Sequence, residues 1–433
     1  MDLKREYRPL LWMTGLFLAA YFLPVDDAAF LGAIRDALDL TRWYAREHVI
    51  LCLLPAFFIA GTIAVFISKE AVIRYLGPAA PKWVAYLTAS VSGSVLAVCS
   101  CTVLPLFAGI RQRGAGLGPA ATFLYAGPAI NVLAIILTAQ VLGLELGLAR
   151  VAGAIVFSIL IGLIMHALYR SEEMERAAQQ LQHGEEDGPK PLWKTSLHFL
   201  ALVAILVFAN WGDPGPDAGL LGSIYELKWM LTGLSAVILA VSLVVSLRLE
   251  PRWVALWAGI SAGGAFLFHA HPQLPFAISV IALSVILYIS PGEPREWLAE
   301  TWGFTKLILP LLAAGVLVAG FLLGSPGGGG GIVPDAWIAG LVGGESLRAN
   351  LVASMAGAFM YFATLTEIPI LQGLLAGGMG DGPSLALLLA GPAVSLPNML
   401  VIRGVIGTRK TVVFIALVVV MATISGLIYG SIT

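Results

Sequence analysis

The chain of 433 residues is 58% hydrophobic and only 12% charged, with a mean hydropathy of +0.89 and a net charge of −1. Soluble domains carry about twice this share of charged residues, so the composition is typical of a protein that crosses a membrane several times. The near-neutral charge cannot neutralise a phosphate backbone, which argues against a nucleic-acid partner. The three cysteines, Cys52, Cys99 and Cys101, lie in apolar sequence, and we expect no disulfide framework.

The N-terminal segment has the basic start and apolar centre of a signal sequence, but bulky residues stand where a cleavage site needs small ones. We therefore favour a retained helix over residues 10–23, and the lysine and arginines before it place the N-terminus in the cytoplasm. Residues 25–46 mix acids with arginines and are expected to form an amphipathic surface helix outside. Residues 48–68 then return to the cytoplasmic side.

The next apolar stretch is short and contains helix breakers. Residues 83–98 span about 24 Å as a helix, and residues 103–110 span about 12 Å. If this stretch crosses the membrane once, Arg111 and Arg113 emerge outside. If the chain turns back at Cys99–Cys101, the two arginines return inside. The excess of positive charge in cytoplasmic loops favours the second alternative, a re-entrant hairpin over residues 83–110.

The remaining predicted elements alternate across the membrane. The predicted crossings cover residues 117–142, 146–169, 195–211, 228–246, 253–268, 276–290, 306–323, 383–406 and 412–429, with a second hairpin at 347–375. Two of them contain helix breaks, at Gly127 and Pro128 and again at Gly391 and Pro392. Residues 170–194 are interpreted as a solvated linker that begins with a short exposed helix and contains His183. The histidines His269 and His271, on an outer loop, are only a weak metal signal.

A shift of 264 residues superimposes residues 87–131 on residues 351–395 without a gap, and 16 of 45 positions are identical. Shared composition would give scattered matches, so we interpret this pattern as an internal duplication. If both hairpins are re-entrant, or both span, the first copy begins inside and the second outside. If one hairpin is re-entrant and the other spans the membrane, the two copies are parallel. Inverted repeats with broken helices are the architecture of secondary transporters.

These features predict an all-α polytopic membrane protein with an inverted repeat, two re-entrant hairpins, discontinuous helices and about 11 spans. The predicted regions are an N-terminal helix and surface segment (1–46), a first repeat (47–169), a polar cytoplasmic linker with extra helices (170–303) and a second repeat (304–433).

The chain resembles the ArsP-type permease family in two runs, CSCTVLPLFAGIRQRGAGLGPAATFLYAGPAINVLA from Cys99 and LLLAGPAVSLPNM in the second copy. The copies that carry these motifs cover roughly residues 47–169 and 304–430. The resemblance implies a permease that exports trivalent organoarsenicals such as methylarsenite, and thus a role in arsenic resistance. The chain departs from a compact eight-helix arrangement by its helix at 10–23 and the apolar segments around 195–290.

Cys99 and Cys101 offer two sulfur atoms on a turn between helices. Trivalent arsenic and Cu(I) prefer thiolate ligands, and the two exchangeable positions of a monomethyl arsenical match a dithiol. We predict that Cys99, Ser100, Cys101 and Thr102 bind substrate, with the two thiols as soft-metal ligand candidates. The alternative is that these small residues only allow close packing at the hairpin tip. Cys52 has no partner nearby in the sequence and is interpreted as a core residue.

The second copy presents Thr366 and Glu367 at the equivalent tip. A carboxyl group inside a membrane is costly to bury and is a candidate functional group. We predict that Glu367 couples transport to protons and that Thr366 contacts substrate; the alternative for Glu367 is a structural hydrogen bond. Asn131, Ser395 and Asn398 follow the glycine–proline breaks, where we expect them to contact substrate or to satisfy freed backbone groups.

No phosphate-binding loop of the P-loop type occurs, so proton-coupled secondary transport is the simplest energy source. An ATPase partner and facilitated passage are alternatives. We expect no enzymatic activity and no cofactor, and we place the protein in the cell inner membrane. Its predicted partners are the lipid bilayer and a small-molecule substrate, with protein partners left open. The rival functions are export of Cu(I), Zn²⁺ or another small solute, and a membrane thiol redox enzyme.

Overall fold

The computed structural model describes residues 3–67, 69–78, 80–96, 99–100, 102–182, 192–213, 219–268, 271–324, 331–332, 340–360, 367–376 and 378–433. Within these ranges the regular structure is helical, apart from isolated bridges of Met379 to Gly343 and Gly344. Five described helices are long and apolar enough to cross a membrane, Ala28–Phe66, Leu144–Arg176, Leu221–Val245, Glu293–Leu322 and Thr408–Gly430. The prediction of an all-α polytopic membrane protein is confirmed.

Long helices alternate with short ones along the chain, and a π-helical segment, Ala45–Leu53, joins the second helix to the third. The helices are α1 (Leu3–Tyr21), α2 (Ala28–Tyr44), α3 (Leu54–Phe66), α4 (Lys69–Leu76), α5 (Lys82–Leu96), α6 (Val103–Gln112), α7 (Leu117–Ala129), α8 (Val132–Val141), α9 (Leu144–Gln182), α10 (Leu192–Ala209), α11 (Leu220–Val245), α12 (Pro251–Leu267), α13 (Gln273–Ile289), α14 (Glu293–Leu323), α15 (Leu347–Phe359), α16 (Glu367–Ala376), α17 (Asp381–Ala390), α18 (Leu396–Ile406) and α19 (Thr408–Gly430).

The first long element differs from the expected surface helix at 25–46 because it is continuous from Ala28 to Phe66 and packs against α14. A Cβ atom added to Gly320 of α14 would lie 2.8 Å from Cα of Ala37 and 3.1 Å from Cβ of Leu40. The missing side chain lets the two helix backbones approach closely. Burial of α2 along this contact removes one face of it from the surface.

The helix bounds repeat with the offset seen in the sequence. α5 to α9 recur in the same order as α15 to α19, and α9 and α19 begin at Leu144 and Thr408, so 408 − 144 = 264. The correspondence extends beyond the predicted repeat, because the helix that begins at Ala28 has its counterpart in α14, which begins at Glu293. The predicted boundary between residues 303 and 304 lies inside α14.

Two close helix contacts repeat with the same offset. In the first copy, a Cβ atom added to Gly118 of α7 would lie 2.8 Å from the carbonyl oxygen of Gly162 in α9. In the second copy, a Cβ atom added to Gly382 of α17 would lie 2.5 Å from the carbonyl oxygen of Gly426 in α19. Because 382 − 118 and 426 − 162 both equal 264, the duplicated sequence forms duplicated packing.

The equivalent helices α9 and α19 run in opposite directions. Nζ of Lys410, near the start of α19, lies 3.4 Å from Oε1 of Glu173, toward the end of α9. A Cβ atom added to Gly153, near the start of α9, would lie 3.4 Å from Oγ of Ser425, near the end of α19. Antiparallel packing of equivalent helices makes the two copies an inverted repeat.

The short helices α5 and α6, and likewise α15 and α16, form hairpins that enter and leave at one end of the molecule. The N–H group of Gly116, after α6, donates to the carbonyl oxygen of Leu76, before α5, at 2.7 Å. The N–H group of Gly380, after α16, donates to the carbonyl oxygen of Val342, before α15, at 3.4 Å. Each chain segment thus returns to the side it came from, as a re-entrant hairpin does.

The additional helices α10 to α13 pack beside the repeats, with α10 on α3 and α13 on α14. Together with α3 they surround an apolar cavity of about 340 Å³, whose wall includes Phe58, Trp229, Trp257 and Phe276. No titratable side chain lines this cavity among the described residues, and the residues with candidate chemistry lie elsewhere in the repeats.

Candidate functional site

A buried ion pair joins the two copies of the repeat. Nη2 of Arg150, on α9 of the first copy, lies 2.6 Å from Oε1 of Glu367, the first residue of α16 in the second copy. The side chains are 0% and 1% exposed, so neither charge reaches solvent. A charged pair inside a membrane protein is costly to desolvate and is a candidate functional group. Relative movement of the two copies at this point must break the pair or carry it along.

Arg150 also fills the interruption between α7 and α8. Its Nε donates to the carbonyl oxygen of Ala129 at 2.9 Å, and its Nη1 donates to Oγ1 of Thr138 at 2.9 Å. Pro128 lies in the last turn of α7, and the backbone leaves helical geometry at Ile130, where φ is −110° and ψ is 26°. The interruption frees the Ala129 carbonyl group from helical bonding, and the guanidinium group satisfies it.

The second copy has the corresponding interruption without the guanidinium group. α17 ends directly before Gly391 and Pro392, whereas the equivalent Gly127 lies within the last turns of α7. The residue equivalent to Arg150 is Phe414, since 414 − 150 = 264, and its side chain is fully buried. Among the described residues, the arginine that bonds the interruption in the first copy has an apolar counterpart in the second copy.

Two thiols meet beside the tip of the first hairpin. Sγ of Cys99 lies 3.1 Å from Sγ of Cys52, and neither cysteine is in a disulfide bond. Cys52 is 3% exposed, whereas Cys99 is partly exposed. The sequence prediction treated Cys52 as an isolated core residue; it is buried, but it contacts the predicted ligand Cys99.

Thr102 holds the backbone of the Cys99 turn. The N–H group of Cys99 donates to Oγ1 of Thr102 at 3.0 Å, and this hydroxyl donates to the carbonyl oxygen of Cys99 at 3.2 Å. The N–H group of Val103, the first residue of α6, donates to the same carbonyl oxygen at 3.1 Å. Thr102 is thus a structural neighbour of the thiol, and it is 1% exposed.

Cys52 lies on the π-helical segment Ala45–Leu53, four residues after His48. π-Helical turns are uncommon and occur frequently at functional sites. Nε2 of His48 is buried and has no hydrogen-bond partner among the described residues, and its ring packs edge-on against Trp43 and Tyr44. The segment therefore places the Cys52 thiol against the hairpin tip.

Several buried polar side chains have no hydrogen-bond partner within the described ranges, and three of them are residues at the first hairpin tip or at the start of α18. They are Ser100 at the first hairpin tip, Ser395 directly before α18, and Asn398 in the first turn of α18. Both the oxygen and the nitrogen of the Asn398 amide are unpaired, although the residue is only 1% exposed. Asn131, before α8, is 4% exposed. Because buried polar groups are normally paired, each of these unpaired groups is a candidate partner for a polar ligand or water.

Several predicted residues lie outside the described ranges, namely Cys101, Thr366, His183 and His269. His271 is described and is exposed. Among the residues that the structure describes, no group of three His, Cys, Asp or Glu side chains is placed to hold a metal ion.

A second buried cluster of charges lies where α6, α7, α9 and α19 meet. Nη1 and Nη2 of Arg111 donate to Glu173 at 2.6 and 2.9 Å, and the N–H group of Leu117 donates to the same carboxylate at 3.0 Å. Nζ of Lys410 lies 3.4 Å from it. The predicted exposed helix at the start of residues 170–194 is the end of α9, which continues to Gln182; this end is largely exposed, but Glu173 within it is 2% exposed.

Sequence reasoning missed Arg150, Cys52 and Glu173 as candidate functional or structural side chains. A signal for Arg150 was present, since it is a charged residue in a long apolar run, the same reasoning that selected Glu367. Cys52 had no comparable signal, because its contact with Cys99 joins residues 47 apart in the chain.

The ArsP_1 family, described as a predicted permease, matches residues 34–431 of this chain. The chain belongs to this permease family. The UPF0718 protein MJ0584 of Methanocaldococcus jannaschii is 40% identical over 387 residues, which cover 89% of this chain and 93% of the relative. The UPF0718 protein YraQ of Escherichia coli is 21% identical over 420 residues, which cover 97% and 80% of the respective chains. No solved structure matches the permease.

The family and the apolar helices identify a multi-pass membrane transporter. The inverted repeat, the paired re-entrant hairpins and the interrupted helices supply the architecture by which secondary transporters alternate access to one site.

Proposed function

We propose that this permease exports trivalent organoarsenicals such as methylarsenite, or closely related soft thiophilic solutes, by proton-coupled secondary transport. The observation that carries the proposal is the contact of Cys99, at the tip of a re-entrant hairpin, with a second thiol 3.1 Å away. Soft thiolate ligands favour trivalent arsenic and Cu(I) over hard cations. Cys101, two residues after Cys99, remains part of the proposed site.

We propose that Ser100, next to Cys99 in the chain, and the unpaired groups of Ser395 and Asn398 bind the hydroxyl groups of the same solute. Each unpaired buried group costs about 1–3 kcal/mol, so a ligand that pairs with them recovers part of this cost on binding. We propose that Asn131 and Thr366 contribute further polar contacts around the same solute.

Glu367 is the proposed proton-coupling residue. Its carboxylate neutralises Arg150, which itself holds the interruption between α7 and α8 in the other copy. Protonation would remove the negative charge and weaken the link between the copies. The proton thus acts on the contact that a transport movement has to change.

We place the end of the molecule that contains Glu173 in the cytoplasm, because Arg111, Arg113, Arg176 and Lys410 gather there. Under this assignment the first hairpin enters from the cytoplasm and the second from outside. We also propose that the protein lies in the inner membrane and that its N-terminus is cytoplasmic.

Transport into everted membrane vesicles tests the substrate, with methylarsenite, arsenite and Zn²⁺ compared side by side under an imposed proton gradient. We expect uptake of methylarsenite that collapses with the gradient and is lost in Cys99→Ser. Uptake of Zn²⁺ but not methylarsenite would overturn the arsenical assignment. Uptake that persists without the gradient would overturn proton coupling and leave the substrate assignment intact.

A further inference from the structure

We propose that Cys52 and Cys99 form a chelating dithiol that binds one trivalent centre between the π-helical segment and the first hairpin. The neighbouring cysteine in the sequence, Cys101, is not required for this chelate. The inference deepens the proposed function, since it rests on a thiophilic ligand reaching the hairpin tip. It assigns a ligand that the sequence motif does not contain.

The separation of the two sulfur atoms selects the geometry of the bound centre. Two bonds of about 2.3 Å, the length of a typical metal–thiolate bond, enclose an angle of roughly 85° when their sulfur atoms are 3.1 Å apart. A trivalent centre with a lone pair is pyramidal, with bond angles near a right angle, and it fits this pair. A linear two-coordinate Cu(I) centre would need sulfur atoms about 4.6 Å apart, and a tetrahedral Zn²⁺ centre about 3.8 Å.

The surroundings of the pair favour a chelate over two separate thiols. Cys52 is fixed in a long helix and Cys99 in a turn that Thr102 holds by two hydrogen bonds, so little ordering is needed on binding. Cys99 is partly exposed and can receive the ligand first. Cys52, buried beside it, then displaces the second exchangeable group.

The bonds balance without an oxidant. A monosubstituted arsenical with two hydroxyl groups exchanges each As–O bond for an As–S bond. Each departing hydroxide takes one thiol proton and leaves as water, so two waters form and arsenic stays trivalent. The chelate ties the first hairpin to α3 through the π-helical segment, and release requires the reverse exchange with water or a competing thiol.

The test uses the full-length protein in detergent with phenylarsine oxide, a monosubstituted trivalent arsenical, and reads the intact mass. Wild type and Cys101→Ser should each gain one phenylarsenic group with loss of two hydrogens, and the adduct should survive a monothiol but not a small dithiol. Cys52→Ser and Cys99→Ser should hold the probe about a hundredfold more weakly, because a single bond loses the chelate advantage. Cys52→Ala, which adds no buried hydroxyl group, provides the matched variant if the serine form is not monodisperse.

An adduct that is lost in Cys101→Ser and kept in Cys52→Ser and Cys52→Ala would overturn the proposal, because the chelate would then be Cys99–Cys101. The mass assay and the transport assay test different proposals, so either one can fail without the other. The expected mass pattern without methylarsenite uptake would leave the dithiol standing and refute the proposed substrate. Uptake of methylarsenite at the wild-type rate by Cys52→Ala would refute the dithiol and leave the transport function standing.

Discussion

The ion pair between Arg150 and Glu367 gives the sharpest prediction about how the two copies are held together. Replacing Arg150 by Met leaves the Glu367 carboxylate buried without a cation, and replacing Glu367 by Gln leaves the guanidinium group uncompensated. Both side chains are at most 1% exposed, so water cannot relieve either charge. Removal of one partner from such a pair costs about 3–5 kcal/mol.

The two single variants should not cost the same. Arg150→Met also removes the hydrogen bonds that Arg150 donates to the carbonyl oxygen of Ala129 and to the hydroxyl of Thr138, each 2.9 Å long in the wild type. Loss of a hydrogen bond that leaves a buried acceptor unpaired lowers the free energy of unfolding by about 1–3 kcal/mol in addition to the loss of the ion pair. We therefore expect Arg150→Met to be the more destabilising change. The double variant removes both charges and should be more stable than the sum of the singles by about 3 kcal/mol.

The free energy of unfolding, measured reversibly in mixed detergent micelles for wild type, both singles and the double, completes the cycle. The exposed pair Arg252–Glu250 is the matched control, and Arg252→Met should cost less than about 1 kcal/mol because both side chains are open to solvent. Single effects that add within about 0.5 kcal/mol would refute a bridge between the copies, since independent sites are additive.

The other predictions concern coupling, packing and topology. In proteoliposomes, Glu367→Gln should lose gradient-driven export but keep counterflow exchange, because it cannot ionise yet preserves shape; intact uphill transport would end the proton-carrier role. Gly426→Ala should lower the unfolding free energy by about 1–3 kcal/mol through overpacking against α17, whereas Gly259→Ala, with open space around it, should not, and equal effects would contradict the glycine contact. In a cysteine-free background, thiol labelling should place positions 180 and 408 on one side of the membrane and position 347 on the other; labelling of 180 and 408 from opposite sides would refute the inverted repeat.

The architecture of the repeats was readable from the sequence because its determinants are local. An ungapped match of 16 in 45 positions indicates that the chain contains two copies of one repeat. Short apolar runs flanked by glycine and proline are too short to span the membrane as helices. Placement of lysine and arginine then favours re-entrant hairpins over crossings. The prediction of Glu367 at the second tip follows from the same offset, because it is a charged residue at the start of a repeated short helix.

The partners of the candidate residues were decided only by the tertiary structure. Arg150 and Glu367 are 217 residues apart (367 − 150 = 217) and come from different copies, so no local pattern specifies that they meet. Cys52 meets Cys99 from the π-helical part of the helix from Ala28 to Phe66, and this change in helical period is invisible to a hydrophobic pattern. Local sequence sets which segments are helical and where they break, whereas the contacts across these breaks depend on how two inverted copies pack together.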